Sequence, residues 1–274
     1  MTIRDSLGDR MRAFESHECD RKFMSGLPIY ARIDGRGFSK FTKGMNRPYD
    51  VNMSKSMIDT TKVLVEETNA NIGYVQSDEI SLGWVLPTVD TGVWFDRKIT
   101  KMTSVLAGLA TAAFINSLRD NFMTSNLLVA KLPHFDARVM NLPNSTELAN
   151  VFLWRNLDCT KNAVSMAASH YYSHKELMNK NGSEKQEMLF AKGVNFNDYP
   201  FFFKRGTFVK RIVVNRTLTE DERLKIHEKH RPGEFDEFTR SEIIEYSLPP
   251  LNKISNRIEV LFEGASPILN QDYP

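Results

Sequence analysis

Short apolar runs closed by turn signals alternate with stretches of helical period through the first half of the chain. Leu27-Pro28-Ile29-Tyr30-Ala31-Arg32-Ile33 predicts a strand, and Asp34-Gly35-Arg36-Gly37 ends it. From Val51 to Thr68 the apolar positions, Met57, Val63 and Leu64 among them, fit a helix. Ile72 to Leu86 divides into two strands that meet near Ser77-Asp78, with Ile80, Leu82 and Trp84 on one face of the second. Phe95 to Asn121 carries Ile99, Met102, Leu106, Leu109 and Ala113 at helical spacing, and Phe135 to Met140 predicts another strand. The order β-α-β-β-α-β is the split arrangement of ferredoxin-like domains, with two helices on one face of the sheet and the other face free for a site.

The second half reads as mainly helical. Asp158 is expected to cap a helix that starts at Cys159 and runs through Val164, Met166 and Ala168. Ser173 with Glu176, and Ser183 with Gln186, have capping-box spacing, and Gly193 is the expected stop of the second helix. Beyond about Arg216, mixed charges with Pro232-Gly233 and Pro249-Pro250 predict short pieces. The expected fold is α+β: a ferredoxin-like βαββαβ palm of polymerase type over residues 1–142, with mainly helical, basic C-terminal elements over 143–274 packed on it. Nucleotide polymerases and cyclases use such a palm, but so do unrelated binding modules, so fold alone assigns no function.

Composition narrows the picture. Hydrophobic residues at 41% and charged residues at 26% of 274 describe an ordinary globular chain. Lys+Arg 36 against Asp+Glu 34 excludes a uniformly basic nucleic-acid binder and leaves room only for local basic stripes. No run approaches 18 consecutive apolar residues, so no membrane span is expected, and Met1 to Ser6 lacks the apolar core of a signal peptide. Cys19 and Cys159 stand far apart without a CxxC pair; neither a disulfide framework nor a zinc ribbon is expected, and a cytoplasmic location fits.

The chemistry lies in acids at matched strand ends. Asp34 closes the first strand and Asp78 tips the hairpin beside it, on strands that a β-α-β-β unit places about 4.8 Å apart. Their carboxylates can converge on Mg²⁺, which takes one or two carboxylates together with phosphate oxygens and water. Two such ions roughly 3.5–4 Å apart clamp the attacking and leaving oxygens of a phosphoryl transfer. Glu79 points to the opposite face from its neighbour and takes a supporting role. An ordinary Asp-Gly turn and a solvated Ser-Asp-Glu tip remain the plainer alternative. Gly35 and Gly37 around Arg36 allow backbone amides to approach a phosphate. Arg97, Lys98 and Lys101, with Ser104 one turn on, crowd the start of the second palm helix, as an anion site or as solvated surface charge. Lys161 and Asn162 follow Asp158 and suit a triphosphate or a simple cap. Lys204, Arg205, Lys210, Arg211 and Arg216 interleave with Phe201, Phe202, Phe203 and Phe208, a pattern that suits a nucleic-acid strand or, equally, a buried aromatic strand with a charged outer face.

Together these segments resemble the tRNA-His guanylyltransferase family of 3′–5′ nucleotide polymerases. The matching stretches are Ala31-Arg32-Ile33-Asp34-Gly35-Arg36-Gly37-Phe38, Gln76-Ser77-Asp78-Glu79, Phe135 to Val139, Trp154-Arg155 before Asp158, Lys185 to Phe190, and Arg205-Gly206-Thr207. In order and spacing they span roughly residues 5 to 212. The resemblance implies that Asp34, Asp78 and the Gly35 carbonyl bind two Mg²⁺ ions. It also implies that the segment from Asp34 through Phe38 to Ser39, with Ser77, contacts GTP, ATP or another nucleoside triphosphate. It further implies a tRNA substrate extended at its 5′ end, and a homotetramer. Where the eukaryotic branch has His-Ile-Asn-Asn-Leu-Tyr, this chain has Thr160-Lys161-Asn162-Ala163-Val164-Ser165. That is closer to the Arg-Asn-Ser-Ile pattern of the bacterial, archaeal and viral branch, which favours template-directed repair of tRNA 5′ ends, with Lys161 and Asn162 matching its Arg and Asn.

Overall fold

The structure, a computed structural model, describes residues 6–86, 88, 92–121, 132–230 and 237–270. Its centre is strand β1, Ile29–Gly35, which pairs antiparallel with β3, Glu79–Trp84, on one side and with β4, Phe135–Asn141, on the other. Strand β2, Ile72–Gln76, lies beyond β3, so the first four strands run β4-β1-β3-β2, the ferredoxin-like order expected from the sequence. Two helices supply the crossovers: α2, Val51–Thr68, and α3, Ile99–Asn121. Asp50 caps α2 by accepting from the Met53 amide at 3.0 Å, which satisfies one orphan donor of the first turn. Helix α1, Ser6–Cys19, precedes the sheet and buries none of its residues.

Alternation decides what each face of the sheet does. Ile29, Ala31 and Ile33 of β1 and Ile80, Leu82 and Trp84 of β3 face α2 and α3, meeting Met57, Leu64, Leu106 and Phe114 in the main core. On average α3 is long and apolar enough to cross a membrane, yet its Met102, Leu106, Ala110 and Phe114 are fully buried in that core. The opposite residues, Tyr30, Arg32, Asp34, Glu79, Ser81 and Gly83, face the other way. That side is only partly free: α4, Ser145–Tyr171, lies over it, and Phe152 sits so close that a Cβ on Gly83 would fall 2.9 Å from its ring.

Helix α4 differs from the expectation. Asp158 is not a cap; the helix starts fourteen residues earlier, where Asn144 accepts from the Glu147 amide at 2.9 Å. The buried stripe of Leu148, Ala149, Phe152, Arg155, Asn156, Cys159, Ala163 and Ala167 runs past Asp158, and its burial outweighs the local capping preference of an aspartate. Helix α5, Gly182–Ala191, is likewise capped two residues before the Ser183 expected for it, by a reciprocal Asn181–Glu184 box. The Ser173–Glu176 box and the stop at Gly193 (φ 77°) are as read from the sequence. In the first half, α3 begins at Ile99 instead of Phe95, because Phe95, Asp96 and Arg97 take left-handed backbone (φ 53°, 49° and 63°) while Trp94 and Phe95 stack at 4.3 Å.

The C-terminal part adds strands as well as helices. Strand β5, Thr207–Thr217, pairs with β2 through residues 207–209, and β6, Glu237–Tyr246, runs along the full length of β5, which gives a six-stranded sheet β4-β1-β3-β2-β5-β6. Thus the stretch beyond Arg216, read as short pieces, holds a ten-residue edge strand.

Candidate functional site

At one end of the sheet, β1 stops and the β2–β3 turn begins, and the two are tied together: the Gly35 amide donates to the Asp78 carbonyl at 3.0 Å. Ser77 takes a left-handed conformation (φ 50°) that reverses the chain in two residues and leaves Asp78 beside the end of β1. Gly35 must be glycine for a packing reason, since a Cβ there would meet the Phe38 ring at 2.4 Å. That ring in turn lies in a cluster with Phe41, Phe114 and Phe135, at centroid separations of 5.0–5.4 Å, and anchors the turn after β1 to the core.

Above this junction is a cavity of about 820 Å³. Asp34, Phe38, Ser39, Ser77, Asp78 and Glu79 line its floor, Asn162 and Met166 of α4 one wall, and the segment from Met45 to Ser54 another. Burial raises the Asp78 carboxyl to about 6, with further contributions from the charges of Asp34 and Glu79. Asp34 is also raised, first by burial and then by Glu79 and Asp136, its register partners on β3 and β4. Acids raised in this way favour a positive partner. Their hard oxygen donors, with the Gly35 carbonyl at the same strand end, fit Mg²⁺. Among the described residues no group of three or more His, Cys, Asp and Glu forms a self-contained metal cage. The donor set is therefore of the kind that leaves positions for phosphate oxygens and water.

Glu79 is engaged elsewhere. Arg155 holds it in a bidentate pair, Nε to Oε1 at 2.6 Å and Nη2 to Oε2 at 2.7 Å, and both side chains are buried. Gln76 Nε2 donates to the same carboxylate at 3.1 Å, and Arg32 stands 3.9 Å away. Arg155 also reaches Asp158 at 3.1 Å and stacks over Trp154 at 4.6 Å. Sequence reasoning gave Arg155 no role. Its only signal was its place in the Trp154-Arg155 stretch, because a partner 76 positions away leaves no local pattern. The Met45–Ser54 wall was also missed, although the helix that begins at Val51 was legible.

Other expected site residues are spread more widely. Arg36 and Gly37 line a separate shallow cavity with His134, whose carbonyl accepts from the Arg36 amide at 2.9 Å. Lys101 and Ser104 are exposed on the first turns of α3 and do not line the large cavity; Lys101 lies over the Phe95 ring at 5.0 Å. Arg97 and Lys98 precede that helix, and Lys98 pairs with Asp20 at 2.6 Å. Lys161 and Asn162 are mid-helix, so no helix terminus faces them, and they part company: Asn162 lines the acidic cavity and Lys161 another on the far flank of α4. Lys204 and Arg205 close a short helix, Phe201–Arg205, and Lys210 and Arg211 lie on β5, where Lys210 covers the Tyr246 ring at 4.7 Å and Arg211 donates to Ser241 at 2.7 Å. Phe203 and Phe208 among them are buried, which favours the core reading of those aromatics over base stacking.

A family model described as tRNAHis guanylyltransferase (Thg1) matches residues 8–143. A solved bacterial tRNA(His) guanylyltransferase (Thg1)-like protein in complex with ATP is 35% identical with a TM-score of 0.69, over 75% of this chain and 88% of that one. A second such bacterial structure, in complex with GTP, is 30% identical with the same TM-score over 91% of this chain and 95% of its own. An uncharacterized protein, R259, of Acanthamoeba polyphaga mimivirus is 28% identical over 77% of this chain and 79% of its own length. With the palm topology and the paired acids of its strand ends already in place, the chain belongs to the tRNA(His) guanylyltransferase family of nucleotidyltransferases.

Proposed function

We propose that this protein is a Mg²⁺-dependent 3′–5′ nucleotidyltransferase that repairs the 5′ end of tRNA under direction of the opposing strand. The observation that carries the reading is the meeting of Asp34 and Asp78 at one end of a palm-type sheet, raised by burial and facing a cavity large enough for a nucleotide. Asp34, Asp78 and the Gly35 carbonyl would hold the metal. When bound, Mg²⁺ supplies positive charge to the phosphate oxygens and acidifies a nucleotide hydroxyl. Ser39 and Ser77 offer hydroxyls to the bound nucleotide from the cavity floor. Arg155 pairs with Glu79 and fixes that third carboxylate of the cavity floor in place, balancing its charge beside the acid pair. The 3′-hydroxyl oxygen of the incoming nucleotide then attacks the activated 5′ phosphorus. The new P–O bond forms as the bond to the leaving group breaks, pyrophosphate from a 5′-triphosphate end or a nucleoside monophosphate from a nucleotide-activated one, and the hydroxyl proton passes to solvent.

The test is addition to a panel of tRNAs lacking one 5′ residue, each offered the four nucleoside triphosphates singly. Incorporation of only the base complementary to the opposed position supports templated repair. Addition of G whatever the opposed base supports the second reading, guanine addition to tRNA-His, which the family's own name favours. A product formed from GTP alone without RNA makes the protein a dinucleotide cyclase, and tight tRNA binding without pyrophosphate release makes it an inactive RNA-binding module. Retained addition by Asp78→Ala sinks the metal assignment. We also assign a homotetramer, supported by Leu7, Met11 and Phe14 of α1, which expose 59%, 45% and 64% of their surface at i, i+4 and i+7. Sedimentation equilibrium tests it.

A further inference from the structure

Helix α4 separates two cavities of opposite character. Arg155, Cys159 and Asn162 on one flank face the acidic cavity, while Asn156, Thr160 and Lys161 on the other line a second cavity of about 550 Å³. Among the described residues, the cations Lys161, Arg205 and Lys253 line this second cleft and no carboxylate does. Arg205 is fixed in place: its Nη1 donates to Thr160 Oγ1 at 2.6 Å, one residue from Lys161, and its carbonyl accepts from the Tyr74 hydroxyl at 2.8 Å and the Asn156 side chain at 3.0 Å. Gly182 and Ser183, the first two residues of α5, also line the cleft, where the leading amides of a helix have no intrahelical acceptor. The acids of the neighbouring turns are already engaged, Glu184 with Lys180 at 3.0 Å and the Asn181 amide at 2.8 Å, and Asp158 with Arg155 at 3.1 Å.

We propose that this cleft binds a backbone phosphodiester of the RNA substrate, so that RNA reaching the acidic cavity is held across α4. The inference rests on the reading of the chain as a tRNA nucleotidyltransferase. A nucleoside triphosphate is the other source of phosphate, and the cleft suits it less: among the described residues its lining offers no carboxylate to share a Mg²⁺ ion and no aromatic ring for a base. A phosphodiester needs neither, only cations and amides at its two free oxygens.

The test compares Lys253→Gln, the double variant Lys161→Gln/Lys253→Gln and the charge-keeping Lys253→Arg with the full-length wild type. tRNA affinity is measured by filter binding across a salt series, and the KM for the nucleoside triphosphate at saturating tRNA. The double variant is expected to bind tRNA about tenfold more weakly, with a salt slope shallower by about two, because each lost phosphate contact removes roughly one unit. Lys253→Gln should show about half of that slope change, and Lys253→Arg should restore it. Thermal melts confirm that each variant is folded, and Lys253→Gln alone carries the test if the double variant is not. Unchanged affinity and slope overturn the proposal, as does a raised KM for the triphosphate with unchanged tRNA affinity, which assigns the cleft to the nucleotide. Wild-type protein that binds no tRNA defeats the proposed function itself and this inference with it.

Discussion

Replacing Asp78 by asparagine should destroy nucleotide addition and at the same time make the metal-free protein more stable. A carboxyl raised from 3.8 to about 6 costs the folded state free energy whenever it is ionised. At 1.36 kcal/mol for each pKa unit the full cost is about 3 kcal/mol, and solvent reaching the cavity mouth brings it to ~2 kcal/mol. Asparagine keeps the shape and removes the charge. For a chain of 274 residues, an unfolding entropy of about 2.1 cal/mol/K per residue turns ~2 kcal/mol into a rise of about 3–4 °C in Tm. The direction with pH follows from the raised value: the native state binds the extra proton, so the wild type loses stability as pH rises from 3.8 through 6. The gain from Asp78→Asn is therefore complete above pH 6 and fades towards pH 4. The assay is thermal unfolding in EDTA at pH 7.5 and 4.5, repeated with Mg²⁺ at pH 7.5, where the wild type should recover stability and the variant should not. A variant no more stable than the wild type at pH 7.5 in EDTA, or one whose advantage is undiminished at pH 4.5, refutes the account of Asp78 as a charge held at a cost for a cation.

Three further outcomes follow from the packing. Arg155→Met leaves the buried Glu79 with only the distant Arg32 and the Gln76 amide as partners and should cost about 3 kcal/mol in urea unfolding, whereas the double change with Glu79→Gln should recover a good part of it. Gly35→Ala drives a methyl against the Phe38 ring and should lower stability by about 1–3 kcal/mol while cutting nucleotide addition at least tenfold, measured as kcat on one truncated tRNA. Gly206→Ala, at φ 74° with a Cβ 2.6 Å from Tyr74 and the Val75 carbonyl, should weaken the β2–β5 pairing by about 2–4 kcal/mol, seen as early hydrogen exchange of residues 207–209.

The palm was legible because each of its elements obeys a local rule. Val51–Thr68 carries its helical period, and Ile80, Leu82 and Trp84 alternate as a strand with one buried face should. Asp34 and Asp78 were legible for a related reason, since a β-α-β-β order alone brings their strands together. What escaped reading depends on distant partners. Arg155 has meaning only against Glu79, and β6 is a strand only because β5 lies beside it, its own Glu237–Tyr246 run being too polar to announce a buried face. Asp158 misled because a capping residue inside a helix with a continuous buried stripe is overruled by the burial on either side. Lys161 and Asn162, adjacent in sequence, looked like one site; one residue turns a helix by about 100°, and that sends them to different cavities.

The placement of β1 between two partners sets where the chain can change length. Every residue from Ile29 to Asp34 is paired on both sides, with β3 and with β4. Inserting or deleting one residue there would turn Asp34 from the cavity to the core and push Ile33 out toward α4. Drift in length is forbidden in that strand. Residues 210–217 pair only with β6, beyond the reach of β2, so loss or gain of paired residues at that edge leaves the strand ends that carry Asp34 and Asp78 where they are. Among relatives, length variation should gather at the β5–β6 edge and be missing from β1.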